Sequence, residues 1–460
     1  MVLADRLCAG LPRKLLGLVG AVLLGGCHAA AQIEGQAPAP LPEPAGITVA
    51  FNHNPRTRYR SPIDGQWRRG DDLEAFVLSS IEAAQSQILV AVQELSLPQV
   101  AAALVHKHQQ GLDVRVVLEN TYSSPWSQQH DNDLNPHLRR RNQQLRQLGW
   151  GDAVLLLQHG GVPMIDDTAD GSAGSGLMHH KFMVIDGETV VTGSANFTPS
   201  CIHGDPDDPR TRGNVNHLLR LRSRDLAALF SEEFQRLWGD GPGGALDSRF
   251  GVAKDSGGPQ QAMVQGTAVK VLFAPHRRND PNHGLAWIES LLAESETSID
   301  LNLFVFSAQN LSNALRELHS QGVRLRVLAD PGFANRSFSE TLDLLGLSLP
   351  DHRCKVEAGN QPWQQEHLKV GTPNLRPGDK LHHKVAVIDN RTVITGSFNW
   401  SPSAAHQNDE TLLVIDSPQL AAHFSAEMDH LWRSADLGIS KRLQRKLERQ
   451  NMRCGSGSTL

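Results

Sequence analysis

The chain has 460 residues, 40% of them hydrophobic and 20% charged, with 40 glycines and 25 prolines. That composition excludes a chain disordered throughout and a collagen-like repeat, and the length leaves room for roughly two to four domains. A formal net charge of −5 gives no global electrostatic reason to expect a histone-like coat on nucleic acid, although a local basic groove stays open.

Residues 1–26 read as a signal peptide. Arg6, Arg13 and Lys14 form a basic start, and the apolar run from Leu15 to Leu24 falls short of the ~20 residues that span a bilayer. Leu24-Gly25-Gly26-Cys27 resembles a bacterial lipobox, so Cys27 is the expected lipidation site and the protein is expected to be an exported, membrane-anchored lipoprotein. Residues 27–46 form an Ala/Pro-rich tether. With Cys8 in the signal and Cys27 committed to lipid, Cys201, Cys354 and Cys454 remain, and one disulfide among them is open.

The body of the chain is duplicated. Ile88 to Val92 and Ile299 to Val305 read as apolar strands, followed by amphipathic helices over 98–110 and 309–321 that close on Gly111 and Gly322. Val114-Arg115-Val116-Val117 repeats as Leu325-Arg326-Val327-Leu328 at the same spacing. Further on, MHHKFMVIDGETVVTGSANFT (178–198) repeats as LHHKVAVIDNRTVITGSFNWS (381–401), and Phe230, Glu233 and Trp238 repeat as Phe424, Glu427 and Trp432. Short strands alternating with helices predict an α/β protein of two fused, duplicated halves with mostly parallel sheets and a pseudo-two-fold axis. The expected halves are 47–238 and 268–437, joined by a Gly-rich polar linker at 239–267 and followed by a basic C-terminal tail at 438–460.

Each long repeat contains His-x-Lys, four mostly apolar residues, Asp, six residues, then Gly-Ser-x-Asn. The first copy supplies His179, Lys181, Asp186, Ser194 and Asn196; the second supplies His382, Lys384, Asp389, Ser397 and Asn399. Alternate side chains of a strand share a face. His179 therefore points with Lys181 and His382 with Lys384, while His180 and His383 point to the other face. A neutral imidazole is a competent nucleophile near neutral pH, and a protonated one is a competent acid. Two such residues with two lysines suit an anionic phosphodiester.

This pattern resembles the signature of the phospholipase D superfamily, a duplicated His-x-Lys-x4-Asp motif with a trailing Gly-Ser-x-Asn. The resemblance implies that the motifs meet at the interface between halves in one active site, without cofactor or metal. It implies that His179 is the nucleophile and forms a phosphohistidine, and that His382 is the acid and then the base. Lys181 and Lys384 would hold the non-bridging oxygens, with Ser194, Asn196, Ser397 and Asn399 as neutral donors to the phosphate. Asp186 and Asp389, the remaining members of the expected catalytic set, would be structural. Members place a carboxylate where Glu410 stands, to orient a catalytic histidine; Asn216 occupies the matching position in the first half. Whichever histidine meets Glu410 is favoured in its charged form, and that histidine would instead be the acid of the first step.

The expected activity is a phosphodiesterase acting on phospholipid, supported by the export signal and the acidic chain. An exported non-specific endonuclease acting on DNA or RNA is the second reading, and an inactive, tethered binder of anionic ligands the third. Trp126, Trp363 and Trp400 are candidates for the cleft or the core, residues 204–213 for a gate or a solvated loop, and the basic helix from Lys441 for a contact with anionic lipid or nucleic acid.

Overall fold

The computed structural model describes residues 40–455, apart from 175, 207, 366 and 368. The signal segment, Cys27 and most of the tether lie outside the described residues. From Leu41 onward the chain forms one compact unit.

The first half begins with β1 (Ile47–Phe51) and a small hairpin, β2 (Arg58–Arg60) and β3 (Trp67–Arg69). It continues through α1 (Leu73–Ala83), β4 (Gln87–Val92), α2 (Pro98–Gln109), β5 (Asp113–Leu118), α3 (Pro136–Gln147), α4 (Ala153–His159) and β6 (Met164–Asp166). β7 (Lys181–Ile185), β8 (Thr189–Gly193), α5 (Pro199–Ile202), β9 (His217–Arg222) and α6 (Arg224–Trp238) complete it. The second half repeats the plan. It runs through β10 (Gln260–Val264), β11 (Thr267–Ala274), α7 (Gly284–Ala293), β12 (Ser298–Leu303), α8 (Gln309–Ser320), β13 (Arg324–Ala329), α9 (Glu340–Leu344) and β14 (Val370–Thr372). It ends with β15 (Lys384–Ile388), β16 (Thr392–Gly396), α10 (Pro402–His406), β17 (Glu410–Asp416), α11 (Pro418–Trp432), β18 (Asp436–Leu437) and α12 (Lys441–Cys454).

Among the described residues the two large sheets have the orders β1-β9-β8-β7-β4-β5-β6 and β10-β11-β17-β16-β15-β12-β13-β14-β18. The expected parallel pairing is present where helices alternate with strands, at β4-β5-β6 and β12-β13-β14. The motif hairpins add antiparallel neighbours on the other side, so each sheet is mixed around a parallel centre. A turn of two or three residues can only return a strand antiparallel, whereas a parallel return needs a crossover helix.

Alternation along β7 and β15 divides the core. Phe182, Val184, Val385 and Val387 enter a cluster shared by both sheets and filled by Phe230 and Phe234 of α6 and Phe424 of α11. Met183 and Ile185 face the outer layer made by α1, α2 and α4, and Ala386 and Ile388 face that made by α7 and α8. The shared cluster makes the two halves one body.

The segment 239–267 is more than the expected linker. Its end forms β10, which pairs with β11, and Lys254 is buried between Glu233 of the first half and Asp409 of the second, 2.9 Å from Asp409 Oδ1. The expected tail likewise forms α12. Leu443 buries into the second-half core, and the Cys354–Cys454 disulfide ties the far end of the helix to a loop of that half. Cys201 is free and buried.

Candidate active site

The two aspartates of the motifs stabilise the hairpins. Asp186 and Asp389 adopt the left-handed region, with φ of 52° each. Asp186 accepts hydrogen bonds from the backbone N–H groups of Gln85, Ser86 and Gln87 at 2.7–2.9 Å, and Asp389 does the same for Glu296, Thr297 and Ser298 at 2.8–2.9 Å. Burial opposes the charge on Asp389, but these donors outweigh it and hold the carboxyl at about 2. Each aspartate thus anchors the end of a motif strand to the start of β4 or β12.

Two short bridges join the halves and bring the motifs together. Met178 pairs with Asp409 and Leu381 with Val215. The His179 N–H donates to the Asp409 carbonyl at 2.9 Å, and the His382 N–H to the Val215 carbonyl at 3.1 Å. Each histidine therefore lies beside the strand start of the opposite half. His179 Nδ1–H donates to Glu410 Oε2 at 2.7 Å, and His382 Nδ1–H donates to Asn216 Oδ1 at 3.0 Å. Nε2 of each ring has no hydrogen-bond partner among the described residues. The expected orienting residues are both in place, and each serves the histidine of the other half.

All four central side chains are buried. Burial lowers His179 to about 4 against the opposing pull of Glu410, and burial with the Lys384 and Lys181 charges holds His382 well below its ordinary value. Burial brings Lys181 down to about 8, and burial with the Lys181 charge takes Lys384 well below the usual lysine range. These mutual influences place the two imidazoles and two ammonium groups in one electrostatic neighbourhood. Glu410 is itself buried; despite that desolvation, His179 and Lys181 lower it, so it is ionised. Lys181 and Lys384 donate to the carbonyls of His179 and His382 at 2.8 and 2.7 Å, which fixes the ammonium groups beside the rings. Burial and mutual repulsion weaken the hold of the two lysines on their protons, and an arriving anion would strengthen it.

The serines stand differently from the expectation. Ser194 Oγ–H donates to Asn216 Oδ1 at 2.8 Å, and Ser397 Oγ–H donates to Glu410 Oε2 at 2.6 Å. Their hydroxyls hold the orienting residues rather than facing a phosphate. The serine after each motif glycine continues the pairing with β9 or β17: the Ser194 N–H donates to the His217 carbonyl at 3.1 Å and the Ser397 N–H to the Thr411 carbonyl at 2.9 Å. Asn196 donates to Gln93 Oε1 at 3.2 Å, while the Asn399 amide has no side-chain partner among the described residues.

His180 and His383 face the interior. His180 Nε2–H donates to Glu233 at 2.9 Å and its Nδ1 accepts from the Thr411 hydroxyl at 2.8 Å; His383 Nδ1 shares a hydrogen with His217 Nδ1 at 3.0 Å. Trp126, Trp363 and Trp400 are buried, so they belong to the core. The loop at 204–213 is tied to the second half, since the N–H groups of Arg212 and Gly213 donate to Asp379 at 2.8–3.0 Å. Sequence reasoning missed Phe304, whose ring lies 4.7 Å from that of His382 and 4.7 Å from that of Phe333. The repeat puts Gln93 at the matching place, so a polar residue flanks one imidazole and an aromatic the other; the alignment holds that signal.

The family described as Cardiolipin synthase, PLD-like domain, matches residues 77–238 and 288–432, about two thirds of the chain. Similar proteins include the mitochondrial cardiolipin hydrolase of Chlamydomonas reinhardtii, 26% identical over 207 residues that make up 41% of this chain and 83% of that protein. The mitochondrial cardiolipin hydrolase of Homo sapiens is 32% identical over 145 residues, 32% of this chain and 49% of that protein. The phospholipase D of Rickettsia typhi is 29% identical over 138 residues, 30% of this chain and 57% of that protein. Several of these relatives are thus spanned over only about half to three fifths of their length. A crystal structure of phosphatidylserine synthase from Haemophilus influenzae Rd KW20 has the same fold, with a TM-score of 0.54 at 13% identity over 89% of this chain and 93% of that one. With both motif copies complete and joined in one site, the chain belongs to the phospholipase D-like family.

Proposed function

We propose that this protein is an exported, membrane-tethered phosphodiesterase that hydrolyses phospholipid diesters through a phosphohistidine. The observation that carries the reading is the pair of His-Lys units joined across the halves, each with Nδ1 committed and Nε2 free. The names of its relatives, cardiolipin hydrolase and phospholipase D, support a phospholipid substrate. Phe304 beside His382, with Phe333 packed on Phe304, supplies an apolar wall that suits the same class. The signal segment and Cys27 support export and a lipid tether.

In this reading the unequal partners set the roles. His382, whose Nδ1 meets only a neutral amide, is the neutral base that attacks phosphorus with Nε2. His179, which keeps the Glu410 carboxylate, takes up a proton from water as the anionic diester enters and passes it to the departing alcohol oxygen as the P–O bond breaks. Neutral His179 then takes a proton from water; the resulting oxygen attacks phosphorus, the P–N bond breaks and His382 is restored. Lys181, Lys384 and the Asn196 and Asn399 amides stabilise the charge that gathers on the non-bridging oxygens.

The test is hydrolysis of phosphatidylcholine vesicles and of plasmid DNA by the purified protein in the presence of chelator. Lipid hydrolysis that is lost in both His179→Ala and His382→Ala is expected. Turnover of DNA alone would replace the lipid reading with a nuclease, and near-native lipid turnover by either variant would end the two-histidine scheme.

A further inference from the structure

Beside the reacting centre lies a cavity of about 760 Å³, lined by three separate stretches of the second half. Residues 330–336 supply Arg336, residues 372–380 supply Arg376 and Lys380, and the start of α12 supplies Arg442. The cavity adjoins the site directly. Lys380 is two residues before His382, Asp330 in the wall accepts from the Leu381 N–H at 3.0 Å, and the Lys380 ammonium lies 5.9 Å from the ring of Phe304, which packs on His382.

The cavity wall holds four basic side chains and three carboxylates. Some arginines elsewhere meet carboxylates, as Arg115 does Asp113 and Arg326 does Asp300, and others, such as Arg220, meet hydroxyls and carbonyls. None of Arg336, Arg376, Lys380 and Arg442 forms an ion pair within 4.0 Å among the described residues. The carboxylates in the wall are Asp330, Asp379 and Asp436. Two are spent on backbone groups: Asp330 accepts from Gly332, Phe333 and Leu381, and Asp379 from Arg212 and Gly213. Burial pushes Asp330 up and brings Asp379 up to about 7, which weakens their negative charge. Four exposed cations line this wall against the single carboxylate, Asp436, that is not spent on backbone groups, a balance that favours the entry of an anion.

The placement is also built. Arg442 follows the helix cap of Ser440, which accepts from the Leu443 N–H. α12 is held by buried Leu443, by Lys446 donating to the Asn335 carbonyl at 2.5 Å, by Arg453 donating to the His352 carbonyl at 2.8 Å and by the disulfide. The basic C-terminal helix therefore serves as one wall of the cavity.

We propose that this cavity is a second anion subsite, in which Arg336, Arg376, Lys380 and Arg442 bind a further phosphate of the same lipid whose diester is cleaved between His179 and His382. This rests on the phospholipid reading and deepens it: the preferred substrate carries two phosphates rather than one. Guanidinium groups suit a phosphate because they present paired donors in a plane.

The experiment compares Arg376→Ala/Arg442→Ala and Arg376→Lys/Arg442→Lys with the wild type. The substrates are mixed micelles of cardiolipin, which has two phosphodiesters, and of phosphatidylglycerol, which has one, with matched acyl chains. The wild type is expected to favour cardiolipin in kcat/KM, and the alanine pair to lower that preference at least tenfold, with the lysine pair intermediate. An unmoved preference in a folded alanine pair, or equal losses on both lipids, overturns the subsite and leaves the lipid reading standing. A wild type that cleaves neither lipid refutes the functional reading itself. Loss of plasmid DNA cleavage in the alanine pair, with the lipid preference unmoved, makes the cavity a nucleic-acid contact and overturns the proposal.

Discussion

Changing Glu410 to Gln isolates the asymmetry between the two histidines. The carboxylate is fully buried, 2.7 Å from His179 Nδ1, and is fixed by Ser397 at 2.6 Å and by Asn408 at 3.3 Å. Opposite charges centred about 4 Å apart attract by ~4 kcal/mol at an effective dielectric of about 20. The glutamine oxygen keeps the geometry and the hydrogen bond, so most of the loss is electrostatic, roughly 3 kcal/mol. At ~1.4 kcal/mol per tenfold, that is about a hundredfold less protonated His179 in the complex. The assay compares two diesters with the same phosphoryl part, one with an alkyl leaving group and one with p-nitrophenol, which departs without a proton. With the alkyl substrate, Glu410→Gln is expected to lose about two orders of magnitude in kcat/KM; the formation of phosphoenzyme from the aryl substrate falls far less. His179→Ala should then release one burst of p-nitrophenol per site and trap the phosphoryl group on His382, because no base remains for water. Equal losses with both leaving groups would refute the assignment of the acid, and so would a phosphoryl group recovered on His179.

Two further outcomes follow from the same geometry. Asn216→Asp places a carboxylate on His382 Nδ1 and raises the affinity of that ring for a proton. His382 must be neutral to attack, so the acid limb of the kcat/KM profile should move to higher pH by about one unit, and a limb that stays in place or moves down contradicts the role given to His382. Asp389→Ala removes the acceptor of several backbone hydrogen bonds that join β15 to β12 and should cost about 2–3 kcal/mol of stability near neutral pH, measured by denaturant unfolding. The folded carboxyl at about 2 lies below its ordinary 3.8, so its stabilisation is complete above 3.8 and disappears as pH falls through 2. The gap between variant and wild type should narrow over that range, and a gap that is independent of pH would show that the charge is irrelevant.

Much of the architecture was legible before any coordinates, for reasons that are local. A run such as Phe182 to Ile185, bounded by His-x-Lys and an Asp turn, has one strand solution, and its repetition at Val385 to Ile388 marks a second half of the same design. Alternation along a strand placed His179 with Lys181 and turned His180 inward without knowledge of what lay beneath. The mixed sheets were harder to read. The motif hairpins impose antiparallel neighbours, and edge strands such as β10 come from a stretch whose glycines and polar residues suggested a connector. The burial of Lys254 is not legible in the sequence, because its two carboxylate partners, Glu233 and Asp409, come from different halves.

The spacing of His, Lys, Asp, Ser and Asn within each repeat determined which side chains share a face, and the duplication determined that there would be two such sets. Only the tertiary structure decided that Glu410 grips the histidine of the other half and Asn216 its counterpart, and that the serines hold these partners instead of facing the cleft. It also gathered four cations from distant stretches around one cavity. The physical reason is that a strand's periodicity acts over a few residues, whereas these pairings depend on the bridges at Met178–Asp409 and Val215–Leu381, which form only when the two sheets close on their common core.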